Sequence, residues 1–175
     1  MERRGICAAG NLIVDIMHRI DRYPARGELT SIISQREMAV GGLACNVSLS
    51  LAMLDDRLPV FVAGRIGDDA EGRLILSDFA GHRNIDVGGV LVGGGETSYT
   101  IVLNDRHSGE RTFFTARGVG ARFDVQDVDL DRISAKIFHA GYILLLDSLD
   151  SVDPEYGTRM ARLLPRCKRG SDLDD

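Results

Sequence analysis

Two glycines, Gly41 and Gly42, stand directly before a stretch with helical spacing, and Asn46 falls within its first turn. Glycine costs backbone entropy, so a pair at this place favours a tight turn or the close approach of another group. Free N–H groups at a helix N-terminus bind polar ligands, and an asparagine side chain both donates to and accepts from hydroxyls. The pattern therefore indicates a small-molecule site, with a plain turn into a helix as the alternative.

Two more polar side chains, Asn11 and Asp15, follow the first apolar stretch of the chain. If that stretch is a strand of a parallel sheet, both lie near its carboxyl end, where ligands bind in open α/β sheets. A carboxylate there can accept hydrogen bonds from a pair of sugar hydroxyls. Asp147 follows a later apolar stretch in the same way. For each of the three, capping or hydrogen bonding within a loop is the alternative role.

The sequence contains none of the common motifs for nucleotide binding, serine hydrolysis, metal binding or disulfide formation. It contains no G-x-x-x-x-G-K-[ST] phosphate loop, no G-x-G-x-x-G between a strand and a helix, and no G-x-S-x-G elbow. Its four histidines lack metal-ligand spacing, and its three cysteines form neither a C-x-x-C pair nor a disulfide framework. We therefore predict no metal ligand in this chain, and we expect a reduced, cytoplasmic protein.

The composition is that of an ordinary globular protein. Of the 175 residues, 44% are apolar and 27% are charged, which allows one domain with a core but not two. The net charge of −5 argues against nucleic acid as a partner, because phosphates are bound through clustered Lys and Arg. No apolar run approaches the roughly 18 residues that a membrane helix needs, so no membrane partner is expected.

The elements that would position the polar residues alternate between strand and helix, with an extended flap over 21–40 and a hairpin over 97–116 interposed. This order favours an α/β fold in which helices cover a parallel sheet and a β appendage is added. The patterns predict strands within 5–16, 58–67, 88–94 and 136–146, helices beginning near Ala44 and Ala70, a short helix over 127–134, and a last helix capped by Asp153 with Pro154 at its first position.

Taken in order, three segments resemble the PfkB-type, ribokinase-like carbohydrate kinases: AAGNLIVDI (8–16), VGGLACN (40–46) and AGRIGDDAEG (63–72). The later segments SYTIVLND, ERTFFTARGVGA and FHAGYILLL continue the resemblance, which covers about residues 5–164. It implies a ribokinase-like, Rossmann-like doubly wound sheet with helices on both faces and a small β lid over the sugar. Residues 1–164 would be the N-terminal part of that domain, with lid segments at about 21–40 and 97–116, and 165–175 would be a polar, disordered tail.

The resemblance also implies which residues line the substrate site. Asp15 would hold sugar hydroxyls, the diglycine would admit the substrate against bare backbone, and Asn46 would hydrogen-bond to it. Lid strands in this family often pair between subunits, so a homodimer through the lid is expected. The substrate would be a sugar or a nucleoside, and the residues around it would be Asn11, Asp15, Gly41, Gly42, Asn46, an apolar lid residue at Tyr99 or Ile101, and Asp147.

The sequence departs from the family in one respect. Family members are longer and carry a second signature, D-T-x-G-A-G-D, in which backbone N–H groups form an anion hole and the last Asp is the base. No G-A-G-D occurs in these 175 residues. Phosphoryl transfer depends on positioning and on charge stabilisation around the phosphates. We therefore expect ATP and Mg²⁺ to be used by the family in a part of the fold missing here, with no catalytic residue in this chain and no activity of the chain alone.

Three functional hypotheses follow. The chain is the sugar-binding half of an ATP-dependent sugar or nucleoside kinase, or it is a non-catalytic sugar-binding or regulatory protein. The third is an unrelated Rossmann-like oxidoreductase fragment, and the missing glycine fingerprint counts against it.

Overall fold

Two four-stranded sheets organise residues 3–169, which are the part of the chain that the computed structural model describes. The strands are β1 (Ile6–Gly10), β2 (Ile13–Ile20), β3 (Glu37–Gly41), β4 (Val60–Ile66), β5 (Ile85–Val92), β6 (Ser98–Asp105), β7 (Arg111–Ala116), β8 (Ile137–Gly141), β9 (Val152–Asp153) and β10 (Gly157–Thr158). The helices are α1 (Leu43–Leu54), α2 (Ala70–Ala80), α3 (Asp147–Asp150) and α4 (Arg159–Arg169), and short 3₁₀ turns cover Gly118–Arg122 and Val125–Asp127.

The core sheet is entirely parallel, with the strand order β5–β4–β1–β8. Helices cover both of its faces, because its short apolar strands must be buried on both sides. Ala44 of α1 and Phe79 of α2 pack with Val62 on one face. Leu149 of α3 and Leu163 of α4 pack with other core residues on the opposite face. The predicted α/β fold, a parallel sheet with helices on both faces and a β appendage, is confirmed by this architecture.

The second sheet, here called the lid sheet, has the strand order β3–β2–β6–β7. Its strand β2 directly follows β1 of the core sheet along the chain, after a break at Asn11 and Leu12 that lies one residue later than the break that Gly10 and Asn11 predict. The predicted hairpin is present as β6 and β7, which pair in antiparallel fashion. The predicted flap is mostly irregular, and only its last residues form β3 against β2. The lid sheet and the core sheet therefore meet at the carboxyl end of β1.

Two helix predictions differ from the structure because aspartate side chains accept hydrogen bonds from nearby backbone N–H groups and so compete with helices. No helix covers 127–134: the Asp129 carboxylate accepts the N–H groups of Asp131 and Arg132 in a turn. Asp153 does not cap a helix, since it accepts from Glu155 and Tyr156 in the turn between β9 and β10.

The predicted strand over 136–146 ends early, because only Ile137–Gly141 pairs with β1. The last helix, α4, begins at Arg159 and continues to Arg169, so the first residues of the predicted polar tail are helical. The rest of that tail, 170–175, lies outside the described residues.

The R-I-G-D-D segment joins the lid to the core. Arg65 makes a bidentate ion pair with Asp127, with N–O distances of 2.7 and 2.6 Å. Asp69, and not the neighbouring Asp68, caps α2 by accepting from the Gly72 N–H at 2.8 Å. The Asp69 carboxylate also accepts the Thr97 N–H at 2.7 Å and the Thr97 hydroxyl at 2.6 Å. Because Thr97 immediately precedes β6, this carboxylate fixes the base of the lid to α2.

Replacing Asp69 by Ala is expected to lower the free energy of unfolding by about 2–3 kcal/mol, because it removes a helix cap and orphans two donors of buried Thr97. Asp68→Ala is the matched control: its side chain is 82% exposed and pairs only with exposed Arg73, so a change within about 0.5 kcal/mol is expected. Urea denaturation measures both, and equal losses in the two variants would contradict this role of Asp69.

Candidate functional site

Asp15 and Gly41 lie face to face at the junction of the two sheets. Strands β2 and β3 are antiparallel, with Ile13 opposite Gly41 and Asp15 opposite Ala39. A Cβ atom on Gly41 would lie 2.6 Å from Asp15 Oδ2, so a side chain there would collide with the carboxylate. The first glycine of the pair therefore keeps space open beside the Asp15 carboxylate.

Gly42 serves a different purpose from Gly41. Its φ is +84°, a conformation that residues with a Cβ atom rarely adopt, and a Cβ atom would lie 2.5 Å from the carbonyl oxygen of Asn11. The same carbonyl accepts the Ala44 N–H at 3.1 Å. Gly42 thus allows the first turn of α1 to pack directly on the backbone that leaves β1.

Asn11 links the end of β1 to the segment that follows β8. Its side chain is buried, its Oδ1 accepts the Tyr142 N–H at 2.8 Å, and its Nδ2 donates to the Leu145 carbonyl at 3.4 Å. Both polar atoms of the amide therefore bind the backbone that follows β8. The amide thereby holds the chain after β8 beside the site, and the substrate contact of Asn11 stays a prediction.

Asn46 lies one turn into α1 and its side chain is exposed. Its N–H donates to the Gly42 carbonyl at 3.0 Å, and no hydrogen bond of its amide group occurs among residues 3–169. The amide is therefore available to a ligand. The chain runs from the Asp15 carboxylate to Asn46 through the two glycines. Gly41 lies beside the carboxylate, and Gly42 is the N-cap of the helix that carries Asn46.

The lid residue predicted to shield the site is on the other side of the lid sheet. Parallel pairing of β2 with β6 places Asp15 opposite Thr100 and Val14 opposite Tyr99. Because neighbours across strands share a face, Tyr99 and Ile101 both lie on the face opposite to that of Asp15. Tyr99 instead lines a cavity of about 350 Å³ with Ile16, Asp69, Glu71, Glu96 and Thr97.

The residues that share the face of Asp15 are polar near the core sheet. Thr100 stands opposite Asp15, and Thr115 stands opposite Thr100, with their hydroxyl oxygens 3.2 Å apart. The sequence does not identify either threonine as a site residue, because the alternation of side chains along the hairpin does not show which face lies beside Asp15. Only the pairing of β6 with β2 decides which of its side chains adjoin Asp15.

Asp147 is the first residue of α3 and forms an ion pair with Arg117, which follows β7. The two side chains are 58% and 44% exposed. This ion pair joins the end of the lid sheet to the segment that follows β8. The structure therefore gives the predicted substrate residue Asp147 a partner within the protein, and it brings Arg117 to the same region.

Asp15 is the carboxylate of the site for which residues 3–169 supply no partner. It is half-buried, burial raises the pKa of its carboxyl, and no hydrogen-bond donor or cation pairs with it in the described part of the chain. A desolvated carboxylate without a partner gains most from a ligand that donates hydrogen bonds. Paired hydroxyl groups of a polyol supply two such donors.

Residues 3–169 contain no group of three or more His, Cys, Asp and Glu side chains that could hold a metal ion. The same range also has no helix with the length and apolar character needed to cross a membrane.

Comparison with known proteins agrees with the fold and identifies the family. The family described as pfkB family carbohydrate kinase matches residues 4–172. A curated relative, the ATP-dependent ribose-1-phosphate kinase of Halopiger xanaduensis, is 33% identical over 129 residues, which are 73% of this chain and 42% of the relative.

Solved structures show the same fold. The ribokinase of Thermotoga maritima superposes with a TM-score of 0.69 at 18% identity, over 77% of this chain and 44% of that one. The nucleoside kinase of Methanocaldococcus jannaschii superposes with a TM-score of 0.65 at 17% identity, over 91% and 50%. The chain thus spans about half the length of these proteins or less. With a family match over nearly all of its residues, the chain belongs to the pfkB family of carbohydrate kinases.

Proposed function

We propose that this chain provides the sugar-binding half of an ATP-dependent kinase that phosphorylates a hydroxyl group of a sugar or nucleoside. The observation that carries the proposal is the unpartnered Asp15 carboxylate, kept accessible by Gly41 at the carboxyl end of β1. The relative named a ribose-1-phosphate kinase and the neighbours named ribokinase and nucleoside kinase support a polyhydroxylated substrate.

Each residue of the site has a defined task in this proposal. The Asp15 carboxylate accepts hydrogen bonds from two substrate hydroxyls, and the Asn46 amide donates to or accepts from a third. Gly41 leaves the space that the Asp15 carboxylate needs to meet the substrate, and Asn11 keeps the segment after β8 in place. When bound, ATP and Mg²⁺ would supply the phosphoryl group and neutralise its charge. We propose that the chain alone is inactive, since its sequence has no G-A-G-D.

A second candidate function is a non-catalytic sugar-binding or regulatory protein. It is favoured by the combination of an accessible Asp15 with the missing G-A-G-D signature. The DNA that encodes the chain distinguishes the two candidates. A downstream G-A-G-D in any reading frame would support the kinase half, and its absence would support the binding protein.

We also propose that the protein forms a homodimer through the lid sheet. Phe113 and Phe114 are adjacent on β7, project to opposite faces of the lid, and are 60% and 50% exposed. Exposed aromatic side chains of this size are typical of interaction surfaces. A purely monomeric species in sedimentation velocity at tens of micromolar would contradict this proposal. The cytoplasmic location stays a prediction from the sequence.

The proposed function is tested by titration calorimetry of the 175-residue chain with ribose, fructose and adenosine, together with a coupled assay of ATP hydrolysis. We expect saturable binding of at least one of these compounds and no ATP turnover that depends on it. Failure of all three compounds to bind would overturn the proposed site. Robust substrate-dependent turnover would overturn the proposed inactivity.

A further inference from the structure

The end of strand β7 brings Arg117 into line with the diglycine. Ala116, the last residue of β7, stands opposite Tyr99, and the next residue, Arg117, accepts at its carbonyl a hydrogen bond of 2.6 Å from the Ser98 hydroxyl. Ser98 stands opposite Ile13, and Ile13 stands opposite Gly41. The backbone of Arg117 therefore closes a row that begins at Gly41.

The distance from Asp15 to Arg117 suits a small ligand that contacts both. Thr115, two residues before Arg117, is in the cross-strand row of Asp15, with Thr100 between them. Two strand spacings and two residues along a strand place the Cα atoms of Asp15 and Arg117 about 12 Å apart. Since both side chains can extend into that interval, one substrate molecule can reach the carboxylate and the guanidinium at once.

The ion pair of Arg117 with Asp147 is of a kind that is easily exchanged. Both side chains are about half exposed, and exposed ion pairs contribute little to stability. Of the five N–H donors of a guanidinium, only those on Nη1 contact a protein acceptor within residues 3–169. The remaining donors keep the planar fork that binds phosphate and carboxylate groups in bidentate fashion.

Other arginines of this region also have partners within the protein, and two of them make paired hydrogen bonds. Arg65 and Arg159 each make two hydrogen bonds of 2.6–2.7 Å to the carboxylate of a partly buried aspartate. Arg122 donates to the Gly94 carbonyl. Arg36 pairs with Glu71, which lines the cavity on the face opposite to Asp15. Arg117 is therefore the cation best placed to receive a charged group of a ligand bound at Asp15.

We propose that Arg117 recognises an anionic group on the sugar substrate and that Asp147 holds its guanidinium in place until the ligand displaces it. This inference rests on the proposed function, because it needs a polyol at Asp15. It deepens that function by naming the substrate class as a sugar that carries a phosphate or a carboxylate. Asp147 is then a positioning residue and not a substrate ligand, because its carboxylate and the anionic group of the substrate are both negatively charged and repel each other.

Titration calorimetry of the full chain with ribose, ribose 1-phosphate, gluconate, glucose and inorganic phosphate tests the inference. We expect ribose 1-phosphate to bind about 10–100-fold more tightly than ribose, as a charge-assisted bidentate contact allows. In Arg117→Gln the two affinities should come within about twofold, with the affinity for ribose unchanged. Asp147→Asn should strengthen the binding of ribose 1-phosphate severalfold, because the competing carboxylate is gone.

Arg122→Gln is the matched control, since it removes an exposed arginine from the same loop and should keep the preference for ribose 1-phosphate. A preference for gluconate over glucose without one for ribose 1-phosphate would support Arg117 and identify the anion as a carboxylate. If Arg117→Gln retains the preference, or if ribose binds in an Asp15-dependent way and no anion improves it, the inference is overturned and the proposed function stands. If none of the sugars binds, both are overturned. Should Arg117→Gln fail to fold by circular dichroism, an unchanged affinity in Asp147→Asn overturns the inference.

Discussion

Replacing Asp15 by Asn is expected to weaken sugar binding by about 100-fold, because it removes the charge from two hydrogen bonds that are each worth about 1.5–3 kcal/mol when one partner is ionised. Asn is nearly the same size as Asp, so the space beside Gly41 is preserved and the free energy of unfolding should not fall. Titration calorimetry with the tightest ligand of the wild-type chain measures the effect. Asp56→Asn, which changes an exposed carboxylate paired with Arg83, is the matched control.

The pH dependence of binding tests the same role without a change of sequence. Burial raises the pKa of the Asp15 carboxyl above its ordinary value. Since the ligand needs the ionised form, affinity should fall as the pH drops through this raised pKa, starting above the range of an exposed aspartate. The free energy of unfolding changes in the opposite direction. The ionised Asp15 carboxylate is destabilising because it is partly buried, and this unfavourable contribution disappears as the pH falls and the group is protonated. Asp15→Asn should flatten the profile; an identical slope in both proteins would rule out Asp15 as the titrating group.

The sequence predicts those parts of the site that are set by local chain geometry. Residue types and spacing are enough to identify three parts of the site, because each lies beside a recognisable strand or helix. These parts are the diglycine, the first turn of α1 and Asp15. The structure adds a division of labour within the pair. Gly41 makes room for a side chain, whereas Gly42 makes room for backbone.

What the sequence does not predict depends on long-range pairing. The family resemblance implies a shielding lid residue at Tyr99 or Ile101, but a shift of one residue moves every side chain of a strand to the other face, and only the pairing with β2 fixes which face these two occupy. The hydrogen bonds of the Asn11 amide could not be predicted either, because its partners lie 131 and 134 residues further along the chain. The ion pair of Arg117 with Asp147 joins two loops 30 residues apart, for which no periodicity exists.

Substitution of the two glycines by alanine is expected to have different effects, a loss of stability at Gly42 and a loss of sugar binding at Gly41. Gly42→Ala should lower the free energy of unfolding by about 3 kcal/mol or more, since it combines a left-handed residue with a collision against the Asn11 carbonyl at 2.5 Å. Gly27→Ala separates the two causes. Gly27 has nearly the same φ, +86°, with no atom within 4 Å of an added Cβ, so it should lose only about 1–2 kcal/mol.

Gly41→Ala should instead abolish binding and largely spare the fold. Its backbone is not in the left-handed region, and the atom that an added Cβ would strike is the movable end of the Asp15 side chain. The carboxylate can turn away at little cost, but it then leaves the position in which it meets the substrate. Urea denaturation and calorimetry on the same samples separate the outcomes. If Gly41→Ala destabilises the chain as much as Gly42→Ala while sugar binding survives, then Gly41 serves the turn alone, and the space beside Asp15 is not the substrate site.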